Sequence, residues 1–171
     1  GNMVSFINSI YMSFGSGICA GQTGILAHNR GAGFVLDEAH PRCLEPGKRP
    51  FHTIIPGFLM KEGQPLMAFG VMGADMQPQG HVQLLLNHLE FGMDLQEAVE
   101  AQRVRFISGN QVWVEDRIPV AITQNLAGRG HDVYRVSGMG FGGAQVIARN
   151  LETGVYTGAS ESRKDGCAIG Y

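Results

Sequence analysis

Gly70-Val71-Met72-Gly73-Ala74-Asp75 closes an apolar, strand-like run and stands just before an amphipathic one. At such a junction the backbone N–H groups entering a helix favour a negative oxygen, and glycine lets the main chain approach a ligand closely. Two such donors, aimed at the charge that develops on an attacked carbonyl, make an oxyanion hole. The plain alternative is a tight strand-to-helix connection. A second glycine cluster, Gly138-Met139-Gly140-Phe141-Gly142-Gly143, spells G-x-G-x-x-G. A dinucleotide site needs a strand before that motif and a helix after it. Ala144–Arg149 is short and rich in β-branched residues, followed by a Glu152-Thr153-Gly154 turn, so it reads as hairpin rather than helix. Lys48-Arg49 between prolines and His52-Thr53 at a strand start fit a solvated loop and a packed corner as well as a substrate site. There is no G-x-S-x-G elbow and no Ser-His-Asp spacing. Taken alone, the chain offers a candidate oxyanion site, with the plain connection still open, and a hydroxyl-bearing strand, but no activated nucleophile.

The elements that would carry these residues can be read from periodicity. From Met3 to Phe14, Val4, Phe6, Ile10, Met12 and Phe14 alternate with Ser5, Ser9, Tyr11 and Ser13, which predicts a long strand with an apolar back and a hydroxyl front. Gly1-Asn2 before it reads as the second half of a hairpin turn whose entering strand is missing from this chain. Gly24–Asn29 suggests a short strand, and residues 30–50 a long irregular loop. Thr53–Met60 and Pro65–Met72 form a hairpin around Gly63. Val82, Leu85, Leu86 and Leu89 give the apolar stripe of a helix, stopped near Gly92. Asp94 and Glu97 form a capping box for a second helix. Strands at Val104–Ile107 and Gln111–Val114, a helix from Pro119 to Gly128 or Gly130, and strands at Asp132–Val136, Gln145–Arg149 and Val155–Gly158 complete the order. Strands, then helices, then strands indicate an α+β fold, here a single domain over 1–171.

Composition sets the outer limits. The 171 residues are 44% hydrophobic and 16% charged, which excludes disorder. Thirteen Lys+Arg against fifteen Asp+Glu give a net charge of −2, with no basic field for nucleic acid. The 25 glycines are about twice the usual ~7% share and favour a turn-rich, strand-rich architecture. No apolar run approaches the roughly 18 residues of a membrane span. No signal peptide is visible in Gly1–Ser5, and the compartment stays open. Cys19, Cys43 and Cys167 lack metal or redox spacing and read as free thiols, and the histidines form no zinc pattern. Neither metal nor cofactor is expected.

Taken in order, these segments resemble the small, C-terminal subunit of the γ-glutamyltranspeptidase family of N-terminal-nucleophile hydrolases. Phe14-Gly15-Ser16-Gly17 with Gly24-Ile25-Leu26 and Asn29 is similar to its F-G-[ST]-G…G-I-x-L-x-N signature. Pro46-Gly47-Lys48-Arg49-Pro50 resembles its P-x-K-R-P loop, Gly70–Asp75 its oxyanion turn, and Asp165-Gly166…Gly170-Tyr171 its ending. The resemblance implies an αββα sandwich shared with a large subunit cut from the same precursor, and incomplete without it. It also implies a threonine nucleophile, with its own α-amine as base, on the strand before Gly1-Asn2. Such an enzyme hydrolyses or transfers γ-glutamyl or related amides. This chain by itself is then expected to be inactive and, with an open sheet edge and apolar surface, to self-associate.

Carried over by position, Ser9 takes the place of a second threonine that supports the nucleophile, and Gly73 and Ala74 the two oxyanion positions. Tyr11 stands where transpeptidases carry asparagine. Arg30 and Gly33 stand for a Gln and an Asp that hold the substrate's α-amino and α-carboxylate groups, and His52-Thr53 for a Ser-Ser pair. Losing the acid at Gly33 and gaining Arg30 points to the acylase-like branch, with an acyl-side carboxylate and no α-amine on the substrate. The competing reading is a non-catalytic structural or binding member that keeps the fold without the nucleophile.

Overall fold

A computed structural model describes the backbone of residues 1–171 and every side chain except that of Met139. The chain divides into two compact units: Gly1–Phe6 with Ile55–Tyr171, and Ile7–Ile54.

In the larger unit the elements run β1 (Gly57–Lys61), β2 (Gln64–Met72), α1 (Met76–Leu89), α2 (Leu95–Glu100), β3 (Val104–Ser108), β4 (Gln111–Glu115), α3 (Val120–Gly128), β5 (Asp132–Val136), β6 (Gly143–Arg149) and β7 (Tyr156–Ser160). β1, β2, β6 and β7 form one antiparallel sheet in that spatial order. The register sets Phe69 beside Val146 and Val71 beside Ala144 in β2 and β6, and Val146 beside Ala159 in β6 and β7. With Met67 these residues form the buried face, covered by Leu84 of α1 and by Leu95, Ala98 and Val99 of α2. The opposite face is largely apolar, with Gln145, Arg149 and Ser160 of β6 and β7 also on it. Phe58, Met72, Ile147 and Tyr156 are each about half exposed there. A sheet apolar on both faces belongs between two layers.

β3, β4 and β5 make a second sheet, antiparallel between β3 and β4 and parallel between β4 and β5 across the α3 crossover. Two glutamines join α1 to its edge. Gln79 Oε1 accepts from Phe106 N–H (2.7 Å) and its Nε2 donates to the Phe106 carbonyl (3.2 Å); Gln83 does the same with Val104 at 2.9 and 2.8 Å. Spacing of i, i+4 on the helix matches i, i+2 on the strand, so side-chain amides replace a missing neighbouring strand.

Several sequence expectations change, two of them substantially. Met3–Phe14 is not a strand: among the described residues no strand pairs with it, and alternation becomes a strand only with a ladder partner. Val4 and Phe6, expected on a packed back, are 77% and 81% exposed, while the Ser5 hydroxyl donates to the Phe69 carbonyl (2.8 Å). Tyr11 and Phe14, at φ 79° and 61°, break the segment into turns. The α1 stripe is also different. Val82, Leu86 and Leu89 are exposed, and burial runs through Met76, Gly80 and Leu84. Gly80 hid that face from a hydrophobicity count; a Cβ there would stand 2.7 Å from Val71 Cγ1, so the glycine is what lets the helix settle on β2.

The capping box of α2 forms as read, Asp94 accepting from Glu97 N–H (2.8 Å) and Glu97 from Asp94 N–H (3.2 Å). The smaller unit is irregular, as residues 30–50 were expected to be. Gly24–Asn29 contributes only a bridge from Leu26 to Cys19, Val35 bridges to Cys43, and Arg30–Gly33 makes a single 3-10 turn. Among the described residues no helix is long and apolar enough to cross a membrane.

Candidate functional site

β2 ends at Met72, paired with Gly143, and α1 begins at Met76, so Gly73 and Ala74 lie outside the ladder. Their carbonyls are engaged in starting the helix, accepting from Met76 and Gln77 N–H at 3.0 Å each. Their N–H groups have no hydrogen-bond partner among the described residues. Gly73 is half-buried and Ala74 exposed. Gly73 has φ 130° and Ala74 φ 52°. For alanine the left-handed region costs about 1 kcal/mol, a strain that persists only where the surroundings impose it. Two free amides at a helix N-terminus can hold an oxygen that acquires negative charge.

The approach to this turn is fixed from inside the sheet. Val71 N–H donates to His81 Nε2 (2.9 Å), and the imidazole meets Phe69 edge-on at 5.1 Å. Burial lowers the His81 pKa below its ordinary 6.5, and the acceptor role at Nε2 requires the neutral ring.

Behind the turn stands the second glycine cluster. It is no nucleotide loop, because Gly142 leads directly into β6. Gly142, at φ 76°, crosses the end of β2 so closely that a Cβ on it would lie 2.2 Å from the Met72 carbonyl oxygen. Phe141 is fully buried, and its carbonyl accepts from Arg103 Nη1 (2.9 Å).

Arg103 belongs to a buried group of four charges. Its Nη2 meets Glu161 Oε2 at 2.7 Å and the Val99 carbonyl at 2.7 Å, and its own N–H donates to Glu115 (2.6 Å). Arg163 bridges Glu115 and Glu161 and reaches the Ala101 carbonyl at the end of α2 (3.0 Å). Burial alone would raise the Glu161 pKa, but the Ala144 N–H, Arg103 and Arg163 together hold it below its ordinary value. Two cations and two anions cancel, and the remaining guanidinium donors are spent on main-chain carbonyls, as buried charge requires. Sequence reading missed this group because it joins three separate stretches of chain, at Arg103, at Glu115 and at Glu161 with Arg163, up to 60 residues apart; the visible trace was lone charges beside strand residues, at Arg103 and Glu161.

In the smaller unit three of the expected residues come together. Arg30 Nε donates to Thr53 Oγ1 (2.8 Å) and Nη2 to the Ser9 carbonyl (2.7 Å). The Ser9 hydroxyl accepts from Tyr11 N–H (3.0 Å), which shapes the turn in which Tyr11 has φ 79°. His52 is exposed. Cys19, Cys43 and Cys167 are free thiols, and the described residues hold no cluster of three or more metal-ligating side chains.

An antiparallel sheet with helices on one face, ending at unpaired amides before α1, has the architecture of one half of the αββα fold seen in N-terminal-nucleophile hydrolases. The chain belongs to the Gamma-glutamyltranspeptidase family, whose pattern it matches over residues 1–171. It is 39% identical over 179 residues to a glutathione hydrolase-like YwrD proenzyme of Bacillus subtilis, covering 99% of this chain and 34% of the relative. An oxamate amidohydrolase proenzyme of Klebsiella pneumoniae is also 39% identical, over 183 residues, with 100% and 34% covered. The crystal structure of a cephalosporin acylase from Bacillus halodurans superposes with a TM-score of 0.90 at 48% identity, covering 95% of this chain and 31% of that one. The chain thus spans about a third of the length of these relatives.

Proposed function

We propose that this chain is the C-terminal part of a self-processing amidohydrolase or acyltransferase, acting with a large subunit from the same precursor on amides of the γ-glutamyl or glutaryl type. The observation that carries this reading is the pair of unbonded N–H groups at Gly73 and Ala74, at the start of α1. The nucleophile is a threonine hydroxyl with its own α-amine as base, a pairing suited to taking the hydroxyl proton and returning one to the leaving amine. Ser9 supports it.

On the acyl side, Arg30 keeps Nη1 unbonded among the described residues while Nε and Nη2 are anchored, which suits a carboxylate at a fixed distance. Tyr11, His52 and Thr53 flank that contact. Gly33 stands in place of an acid, so that position offers no carboxylate to an ammonium group. Similarity to an acylase supports the same branch. The apolar second face of the four-stranded sheet receives the large subunit, and without it the chain self-associates.

The strained Ala74 favours a working site over a non-catalytic relative, since strained backbone clusters where a ligand or a reaction uses it. The complete protein, assayed with glutaryl-p-nitroanilide and γ-glutamyl-p-nitroanilide, is expected to turn over the glutaryl compound faster. Clear preference for the γ-glutamyl compound overturns the acylase-like assignment. No turnover of either by a correctly folded complete protein favours the non-catalytic reading.

A further inference from the structure

We infer that Arg105, acting through the Gly138–Gly142 turn, is a positioning residue for the Gly73 and Ala74 amides; this rests on the oxyanion reading above. Gly73 and Gly142 touch main chain to main chain. A Cβ on Gly73 would come 2.9 Å from Gly142 Cα, and one on Gly142 would come 2.2 Å from the Met72 oxygen. With no side chain between them, any shift of Gly142 passes directly to the peptide that carries the Gly73 N–H.

Gly142 is in turn held through the two residues before it. The Phe141 carbonyl accepts from Arg103 Nη1 (2.9 Å), and the Gly140 carbonyl from Arg105 Nη1 (2.8 Å). The arginines stand two residues apart, on one side of the β3 edge, and grip consecutive carbonyls. Trp113 of β4, paired with Arg105, completes the seat: the guanidinium lies 5.7 Å from its ring centroid, and a Cβ on Gly140 would stand 3.6 Å from the indole.

The two arginines differ in what else they do. Arg103 is tied to Glu161 and the buried charge group. Among the described residues Arg105 has no carboxylate partner, and its buried Nε is unpaired. Its charge-assisted bond goes to the glycine turn, so removing it tests the turn while the ion network stays whole.

An oxyanion donor displaced by a fraction of an ångström loses much of its effect on the transition state and little of its effect on ground-state binding. Arg105→Leu and Arg105→Lys are compared with wild type in the complete protein, using whichever of the two anilides wild type turns over faster. Arg105→Leu is expected to lower kcat about 10-fold with KM within about twofold, and Arg105→Lys, which keeps a donor, to lower kcat only about 3-fold. Thermal unfolding confirms that each variant is folded. Unchanged kcat in folded Arg105→Leu, or a rise in KM alone, overturns the inference. If Arg105→Leu does not fold, unchanged kcat in Arg105→Lys overturns it. Absence of turnover in wild type sinks the amidohydrolase reading instead, so the two failures are distinct.

Discussion

Gly142→Ala is expected to be among the most damaging single changes in the chain. Its Cβ would lie 2.2 Å from the Met72 carbonyl oxygen and 3.1 Å from Val71 Cγ1, at φ 76°. Backbone strain at a positive φ costs of order 1–3 kcal/mol, and forced displacement of packed main chain adds about as much again. Gly154→Ala separates the two costs, because Gly154 has φ 73° and open space around the added atom. Denaturant unfolding of the complete protein should show Gly142→Ala losing at least about 2 kcal/mol more than Gly154→Ala. Equal losses would mean that the close approach of the two turns contributes nothing. Because β2 ends at the same contact, folded Gly142→Ala protein should also lose most of its turnover.

Glu161→Gln is expected to cost about 3–5 kcal/mol, the range found when one partner of a buried pair is removed and the other stays behind uncompensated. Glu161 is 1% exposed, and its carboxylate accepts from Arg103, Arg163 and the Ala144 N–H at the start of β6. The acid dependence of stability carries the same signature. Burial pushes the Glu161 pKa up, but the Ala144 N–H and the two arginines outweigh it, so the folded value lies below the ordinary 4.5. The unfolded chain therefore binds this proton more readily than the folded one. The contribution is complete above pH 4.5 and is lost as pH falls from there through the folded pKa. Wild type should lose stability steeply in that window, and Glu161→Gln, already less stable, should show a shallower slope. Identical slopes would remove Glu161 from the acid response.

What was legible in the sequence was what is local. The turn at Gly73-Ala74 is a strand end, a glycine and a helix start within six residues, and the α2 capping box lies within four. The hairpin at Gly63 and the α3 helix behave alike, with β1 beginning later than the pattern suggested, at Gly57. Long-range conditions were invisible. Met3–Phe14 alternates as strands do, yet alternation says nothing about whether a partner strand is present. The buried face of α1 runs through Gly80, and glycine carries no hydrophobic signal even when its smallness decides the packing. The reason for the Gly138–Gly143 cluster was hidden as well, because its contact with Gly73 reaches some seventy residues back along the chain. Arg103, Glu115, Glu161 and Arg163 look like ordinary surface charges until the fold brings them together.

A crystal structure of the complete protein carrying an alkyl boronic acid with a terminal carboxylate would test the oxyanion assignment most directly, since boron forms a tetrahedral adduct with a hydroxyl nucleophile. One boronate oxygen should lie about 3 Å from both the Gly73 and the Ala74 nitrogen. An adduct whose oxygens are held by other groups, with both amides left facing solvent, would contradict the assignment.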